Sequence, residues 1–124
     1  MSQAKKVLII EDEASVIEVY KNELKNSDIE LIVAEDGQVG LEKAKKEKPN
    51  AILLDLILPK MHGFEFLEKI KGDPDTQNIP VVILSNLGGE MNKTKAKDLG
   101  VDDYFVKTDM KFSEVIEKLS EHMT

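Results

Sequence analysis

Four short apolar runs, each ending at a polar residue, constrain the fold of this chain most strongly. The runs and the polar residues that follow them are 7–10 before Glu11, 51–54 before Asp55, 81–84 before Ser85 and 104–106 before Lys107. Continuous runs of this kind, separated by helix-length segments, are typical of strands buried on both faces of a parallel sheet. The four polar residues are therefore predicted to meet at the carboxyl edge of one sheet, where open α/β sheets place their sites.

The segments between these runs are predicted to be helices. In residues 14–26, Ile17, Tyr20 and Leu24 recur at helical spacing. In the last helix, residues 112, 115, 116 and 119 share one face. A second strand is expected at residues 30–34, and further helices at residues 38–48, 64–71 and 91–99. Asp36-Gly37 marks the start of the helix at residues 38–48, Pro49 marks its end, and Gly100 ends the helix at residues 91–99. Alternating strands and helices favour right-handed crossovers and a parallel sheet covered on both sides.

The composition fits one domain and excludes several classes of protein. A chain of 124 residues, 41% of them hydrophobic, can bury its own core, and no linker divides it, so residues 1–124 are expected to form a single domain. The absence of cysteine excludes a disulfide framework and a thiolate metal site. The net charge of −7 argues against nucleic-acid binding. No apolar stretch has the length of a signal-peptide core or a membrane span, so a soluble, cytoplasmic protein is expected.

Three acids that follow the first and third runs carry the chemical prediction. If the first and third strands are neighbours, the carboxylates of Glu11, Asp12 and Asp55 converge and repel one another. A hard divalent cation suits such an all-oxygen site, and Mg²⁺ in particular is usually held by one or two carboxylates, waters and a phosphate oxygen. The three acids therefore predict a Mg²⁺ site.

A lysine and a serine at the same edge extend this prediction to phosphoryl transfer. Lys107 would supply a second positive group, and Ser85 a hydroxyl able to hydrogen-bond a phosphate oxygen. A carboxylate that faces Mg²⁺, a lysine and a hydroxyl is suited to act as a nucleophile, giving an aspartyl phosphate. Asp55 is the best candidate because it is the single acid on the central strand. Taken singly, Asp55 and Ser85 could each be no more than a cap of the following turn or helix.

These residues and their neighbours, in this order, also resemble a known family. The matching segments are Glu11-Asp12, residues 55–63, residues 79–85 and residues 104–107. Together they closely resemble the receiver domains of two-component response regulators, over essentially the whole chain. The resemblance implies an α/β, flavodoxin-like (βα)5 fold with a five-stranded parallel sheet in the order 2-1-3-4-5 and helices on both faces. It also implies a stand-alone receiver without an output domain, similar to the chemotaxis regulator or a phosphorelay intermediate.

The resemblance assigns roles in phosphorylation to the residues around the acids. Asp55 resembles the phosphoacceptor, which becomes a 4-aspartylphosphate. Asp12, Asp55 and the backbone carbonyl of Ile57 resemble the direct Mg²⁺ ligands, and Glu11 would act on the metal through water.

The resemblance also assigns a conformational switch. Ser85 resembles the switch hydroxyl that turns toward the phosphoryl group, and Lys107 resembles its cationic partner. Tyr104 resembles the switch aromatic that rotates inward when the hydroxyl moves. Phosphorylation adds charge and acceptor oxygens, which can bias such a two-state element. A downstream protein would then bind through the fourth helix, fifth strand and fifth helix.

Four positions depart from the family pattern. Asn86 follows the switch serine where a small residue is usual, so access to Asp55 is expected to be reduced. Thr108 stands where proline is common, and because a cis bond without proline costs about 3–4 kcal/mol, a trans bond and an altered loop are expected. Ile57 is apolar and cannot orient a water, which predicts slow self-hydrolysis. His62 stands in a surface loop where an acid is frequent, and it is expected to take no part in the chemistry.

The favoured function is a monomeric signalling switch that takes a phosphoryl group from a histidine kinase or phosphotransfer protein. Such a protein catalyses only its own phosphorylation and dephosphorylation and is otherwise not an enzyme. One alternative is a pseudo-receiver that binds partners without phosphorylation, against which the complete set of acids and lysine argues. Another is a metal-dependent phosphatase, but that class usually needs a second acid two residues after the nucleophile, where this chain has Ile57.

Overall fold

Strands and helices alternate along the chain in the computed structural model, which describes residues 5–123. The strands are β1 (Lys5–Ile10), β2 (Ile29–Ala34), β3 (Ala51–Leu54), β4 (Val81–Ser85) and β5 (Asp103–Val106). The helices are α1 (Ala14–Leu24), α2 (Gly37–Glu47), α3 (Gly63–Lys71), α4 (Glu90–Asp98) and α5 (Phe112–Glu121), the last preceded by a 3₁₀ turn at Lys107–Asp109. Every predicted element is present, and its ends lie within two residues of the prediction. None of the helices in the described range is long and apolar enough to cross a membrane.

The strands form one parallel sheet in the order β2-β1-β3-β4-β5, which confirms the expected topology. Ile10 at the end of β1 pairs with Ala34 of β2 on one side and with Leu54 of β3 on the other. At the opposite half of the sheet, Ser85 of β4 pairs with Val106 of β5. Because the strands end in register, the residues that follow them emerge at one edge of the sheet.

Helices cover both faces of the sheet and enclose two apolar layers. On one face, α2, α3 and α4 pack against alternate strand residues; the largest buried side chains there are Leu8, Ile10, Ile52, Leu54, Leu56, Phe66, Leu67, Ile70 and Ile83. On the other face, α1 and α5 pack against the remaining ones, with Val7, Ile9, Tyr20, Leu53, Val82, Leu84, Val115 and Leu119 buried. The strand runs are apolar throughout because both of their faces are covered.

Helix α2 begins at an aspartate cap and lies close to the sheet. The Asp36 side chain accepts a hydrogen bond of 2.9 Å from the Val39 backbone N–H, which confirms the predicted helix start. Gly40 faces β1, where an added Cβ would lie 2.7 Å from a side-chain carbon of Ile10. The glycine therefore lets α2 approach β1 near the point where that strand delivers the first of the predicted acids.

Candidate functional site

The three predicted acids lie together at the carboxyl edge of the sheet. One carboxylate oxygen from each of Glu11, Asp12 and Asp55 lies within 4.8 Å of the others. Glu11 and Asp55 are buried, being 3% and 5% exposed, whereas Asp12 is exposed to solvent. The neighbouring positions of β1 and β3 bring them together, as the backbone N–H of Asp55 donates to the carbonyl of Ile10 at 3.1 Å. Two buried carboxylates and one exposed carboxylate thus share a small volume.

Lys107 is the cation that compensates this charge. Its Nζ lies 2.8 Å from Glu11 Oε2 and 3.0 Å from Asp55 Oδ2, and its side chain is only 10% exposed. A third acid, Glu13, lies 3.4 Å from the same Nζ. The structure therefore places Lys107 with the acids, as the sequence predicted.

The electrostatics of this group follow from burial and from these contacts. Burial alone lowers the pKa of Lys107, but its hydrogen bonds to Glu11 and Asp55 outweigh burial and raise that pKa above its usual range. Burial raises the pKa of the Glu11 carboxyl, and the nearby Asp55 charge raises it further, while Lys107 counteracts both effects. One lysine faces several acids, so the site carries an excess of negative charge.

This donor set fits a hard divalent cation. Each of Glu11, Asp12 and Asp55 offers a carboxylate oxygen to a common volume, and no sulfur or imidazole ligand lies among them. Cations such as Mg²⁺ prefer oxygen ligands and keep several waters, which the exposed Asp12 side of the cluster can admit. The chemistry of the donors, together with the uncompensated negative charge, therefore agrees with the predicted metal site.

The loop after β3 holds the Asp55 carboxylate in place. Asp55 Oδ1 accepts a hydrogen bond of 3.2 Å from the backbone N–H of Ile57, so the Ile57 peptide lies beside the carboxylate, while its side chain is 55% exposed. The loop then folds back at Gly63, whose N–H donates to the Leu56 carbonyl at 2.9 Å. An added Cβ on Gly63 would lie 2.6 Å from Leu56 Cα, so only glycine fits this close approach.

Ser85 and Tyr104 both bond the same residue of the β4–α4 loop. The fully buried Ser85 accepts a hydrogen bond of 3.3 Å from the Leu87 backbone N–H through its Oγ, so it also caps a turn, the simpler role that the sequence left open. The half-buried Tyr104 donates its hydroxyl to the Leu87 carbonyl. Burial, and to a lesser extent the Asp55 charge, raises the pKa of Tyr104. The two predicted switch residues are thus joined through the backbone of Leu87.

The positions that depart from the family pattern take ordinary structural places. Among residues 5–123 no peptide bond is cis, so the bond before Thr108 is trans as expected, and Thr108 lies in the 3₁₀ turn before α5. Asn86 is exposed beside Ser85. His62 has a structural role that the sequence did not reveal, because its Nδ1 accepts a hydrogen bond of 3.1 Å from Phe64 N–H and caps α3.

Three further residues at the site were not identified from the sequence. Glu13 contacts Lys107, and its position directly after Glu11-Asp12 was the available signal. Leu87 takes part through its backbone, for which a sequence carries no signal. Tyr20 was predicted only as a member of the apolar face of its helix, but it lines the same small void as Glu11 and Asp55.

Comparisons with known proteins agree with this geometry. A family model described as "Response regulator receiver domain" matches residues 7–120. The alkaline phosphatase synthesis transcriptional regulatory protein PhoP of Bacillus subtilis is 35% identical over 103 residues, which cover 83% of this chain and 42% of PhoP. The chain spans about two-fifths of the length of the curated relatives it matches.

Two solved structures of response regulators are also similar to this chain. The Mn²⁺-bound form of the response regulator Rcp1 is 32% identical with a TM-score of 0.80, covering 94% of this chain and 90% of that one. The phosphorylated cyanobacterial phytochrome response regulator RcpA is 31% identical with a TM-score of 0.81, covering 97% of this chain and 91% of that one.

Proposed function

Since this chain belongs to the response regulator receiver family, we propose that it accepts a phosphoryl group on Asp55 in a Mg²⁺-dependent reaction. The donor is a phosphohistidine on a sensor histidine kinase or a phosphotransfer protein. One observation carries the proposal: the buried Asp55 carboxylate lies 3.0 Å from Lys107 and within reach of two further acids, Glu11 and Asp12. The Mn²⁺-bound Rcp1 and the phosphorylated RcpA support the same chemistry in related chains.

The residues around Asp55 have different roles in the phosphoryl transfer. The phosphorus–nitrogen bond of the donor breaks as a phosphorus–oxygen bond to Asp55 forms, and the histidine leaves with the bonding electron pair. Asp12, Asp55 and the Ile57 carbonyl would hold Mg²⁺, with Glu11 acting through water, and the cation would supply positive charge to the phosphoryl oxygens. Lys107 exchanges its contact with the Asp55 carboxylate for a contact with a phosphoryl oxygen, so the acquired charge stays paired.

The switch runs through the β4–α4 loop. When Ser85 turns its hydroxyl toward a phosphoryl oxygen, its Oγ gives up the 3.3 Å hydrogen bond from Leu87 N–H. The Leu87 peptide is then free to move, and with it the carbonyl that accepts the Tyr104 hydroxyl. Movement of that loop changes the surface formed by α4, β5 and α5, where Met91 is 88% exposed. We propose that this surface binds the downstream protein.

We further propose that the chain catalyses only its own phosphorylation and dephosphorylation. A phosphatase acting on other substrates needs an acid to protonate the leaving group. The position two residues after Asp55 is occupied by Ile57, whose side chain cannot supply a proton.

Intact-protein mass spectrometry after incubation with acetyl phosphate tests this proposal. We expect the gain of one phosphoryl group with Mg²⁺ and none when the cation is chelated. Asp55→Asn should abolish the gain, whereas the matched control Asp28→Asn, which changes an exposed aspartate between α1 and β2, should leave it intact. A wild-type chain that gains no phosphoryl group under these conditions would contradict the proposal and favour the pseudo-receiver.

A further inference from the structure

A buried tyrosine lies directly beneath the acidic site. Tyr20 of α1 is 1% exposed, and its ring packs edge-to-face on Phe112 of α5, with centroids 4.8 Å apart and an interplanar angle of 87°. Its hydroxyl is enclosed by protein and has no hydrogen-bond partner among residues 5–123. Buried hydroxyl groups in folded proteins normally have a partner, so an unpaired one calls for an explanation.

The surroundings of this hydroxyl point to a particular partner. Tyr20 lines a narrow void whose other walls are aliphatic residues of β1, β3 and β4, together with Glu11 and Asp55. The void is too tight to admit a water molecule, so solvent cannot satisfy the hydroxyl. The two carboxylates are therefore the side-chain acceptors that a small movement could bring to it.

The chemistry of the pair fixes which group donates. Burial, then the charge of Glu11, then that of Asp55 raise the pKa of Tyr20, so the phenol keeps its proton. An ionised carboxylate only accepts hydrogen bonds, and a phenol can donate one. Glu11 raises the pKa of Tyr20 more than Asp55 does, so Glu11 is the stronger electrostatic neighbour of the hydroxyl.

Glu11 also has one carboxylate oxygen that is held by a single hydrogen bond. Its Oε2 bonds Lys107 at 2.8 Å, while its Oε1 accepts only a 3.2 Å hydrogen bond from Glu13 N–H. A divalent cation that enters the acidic cluster competes with Lys107 for the carboxylates. A Glu11 side chain released from Lys107 would be able to turn toward the void that it shares with Tyr20.

We propose that Tyr20 is a positioning residue for this site, whose hydroxyl donates a hydrogen bond to Glu11 when a divalent cation binds and holds that carboxylate toward the metal. The inference rests on the proposed function, because it assumes a cation among the three acids. Groups that orient metal-binding side chains in this way typically change metal affinity or activity by about 10- to 100-fold when they are removed.

Mn²⁺ binding tests the proposal, and it is measured as the loss of the free-ion signal in electron paramagnetic resonance. Tyr20→Phe keeps the ring on Phe112 and removes only the hydroxyl, and we expect about a tenfold or greater loss of Mn²⁺ affinity. Thermal unfolding without metal should be unchanged or improved, since the unpaired hydroxyl is gone. Equal Mn²⁺ affinity in both proteins would overturn this inference alone, and a wild-type chain that does not bind Mn²⁺ would overturn the proposed metal site as well.

A spectroscopic measurement observes the bond itself. The chain has two tyrosines and no tryptophan, so Tyr104→Phe leaves Tyr20 as the single tyrosine. The intensity ratio of the tyrosine doublet in the Raman spectrum reports whether a phenol hydroxyl donates a hydrogen bond. We expect the ratio to shift toward a donating phenol when Mg²⁺ is added, and an unchanged ratio at saturating Mg²⁺ would refute the proposed bond.

Discussion

Replacing Lys107 by methionine would remove the cation that balances the charge of the acidic site. The side chains of Lys107, Glu11 and Asp55 are 10%, 4% and 6% exposed, so the variant buries two carboxylates without their cation. Breaking a buried ion pair by removing one partner costs about 3–5 kcal/mol, whereas an exposed pair is worth about 0–1 kcal/mol. We therefore expect Lys107→Met to lower the free energy of unfolding by about 3–5 kcal/mol at pH 7 without Mg²⁺.

The pH dependence of this loss has a definite sign. Burial and the Asp55 charge already raise the pKa of Glu11, so the folded state holds its proton more tightly than the unfolded state. Without Lys107, which counteracts that shift, the folded-state pKa rises further. A carboxyl group whose pKa is raised in the folded state contributes stability that is fully present at pH values below its unfolded pKa. That contribution is lost as the pH rises through the folded-state pKa. The destabilisation in Lys107→Met should therefore shrink as the pH falls from 7 toward the unfolded pKa of glutamate.

Urea unfolding of the wild type, Lys107→Met and the control Lys93→Met measures the effect. Lys93 is exposed on α4, so its replacement should change the free energy of unfolding by less than about 0.5 kcal/mol. Mg²⁺ at 100 times its Kd should raise the free energy of unfolding of Lys107→Met by about 2.7 kcal/mol above its own value without Mg²⁺, because the cation binds only the folded state. A loss at pH 7 of less than about 1 kcal/mol would refute the reasoning, since that is the range of an exposed pair.

Two further predictions concern the loop between β3 and α3. His62→Ala removes the cap of α3 and should lower the free energy of unfolding, measured in urea, by about 1 kcal/mol. Phosphoryl uptake, measured by mass spectrometry, should stay at the wild-type level. Loss of uptake in a folded variant would give His62 a chemical role instead. Ile57→Asn places an amide next to the phosphorylated Asp55, where it can orient water. The variant should therefore shorten the lifetime of the aspartyl phosphate in a decay assay. An equal or longer lifetime would count against the prediction that the apolar Ile57 makes self-hydrolysis slow.

The sheet and the convergence of the acids could be predicted because both follow from the strand pattern. The runs that end at Glu11, Asp55 and Ser85 are buried on both faces, and strands of that kind end at one edge of a parallel sheet. Once the strands are in that order, residues that are far apart in sequence come together at this edge, as Lys107 and Asp55 do at 3.0 Å.

The remaining features depend on three-dimensional placement that a linear pattern does not carry. Helical spacing identifies Tyr20 as buried, but it does not say that Tyr20 lines the same void as Glu11 and Asp55. The coupling of Ser85 to Tyr104 uses the backbone of Leu87, and any residue has the same backbone groups. These are the parts of the site that only the structure reveals.

The most direct test of the account is to locate the acyl phosphate on the chain. Borohydride reduces an aspartyl phosphate to homoserine, so the phosphorylated protein can be reduced, digested and read by peptide mass spectrometry. We expect homoserine at position 55, and only after incubation with a phosphoryl donor and Mg²⁺. Reduction at Glu11 or Asp12 instead, or at no residue of a chain that had gained a phosphoryl group, would contradict it.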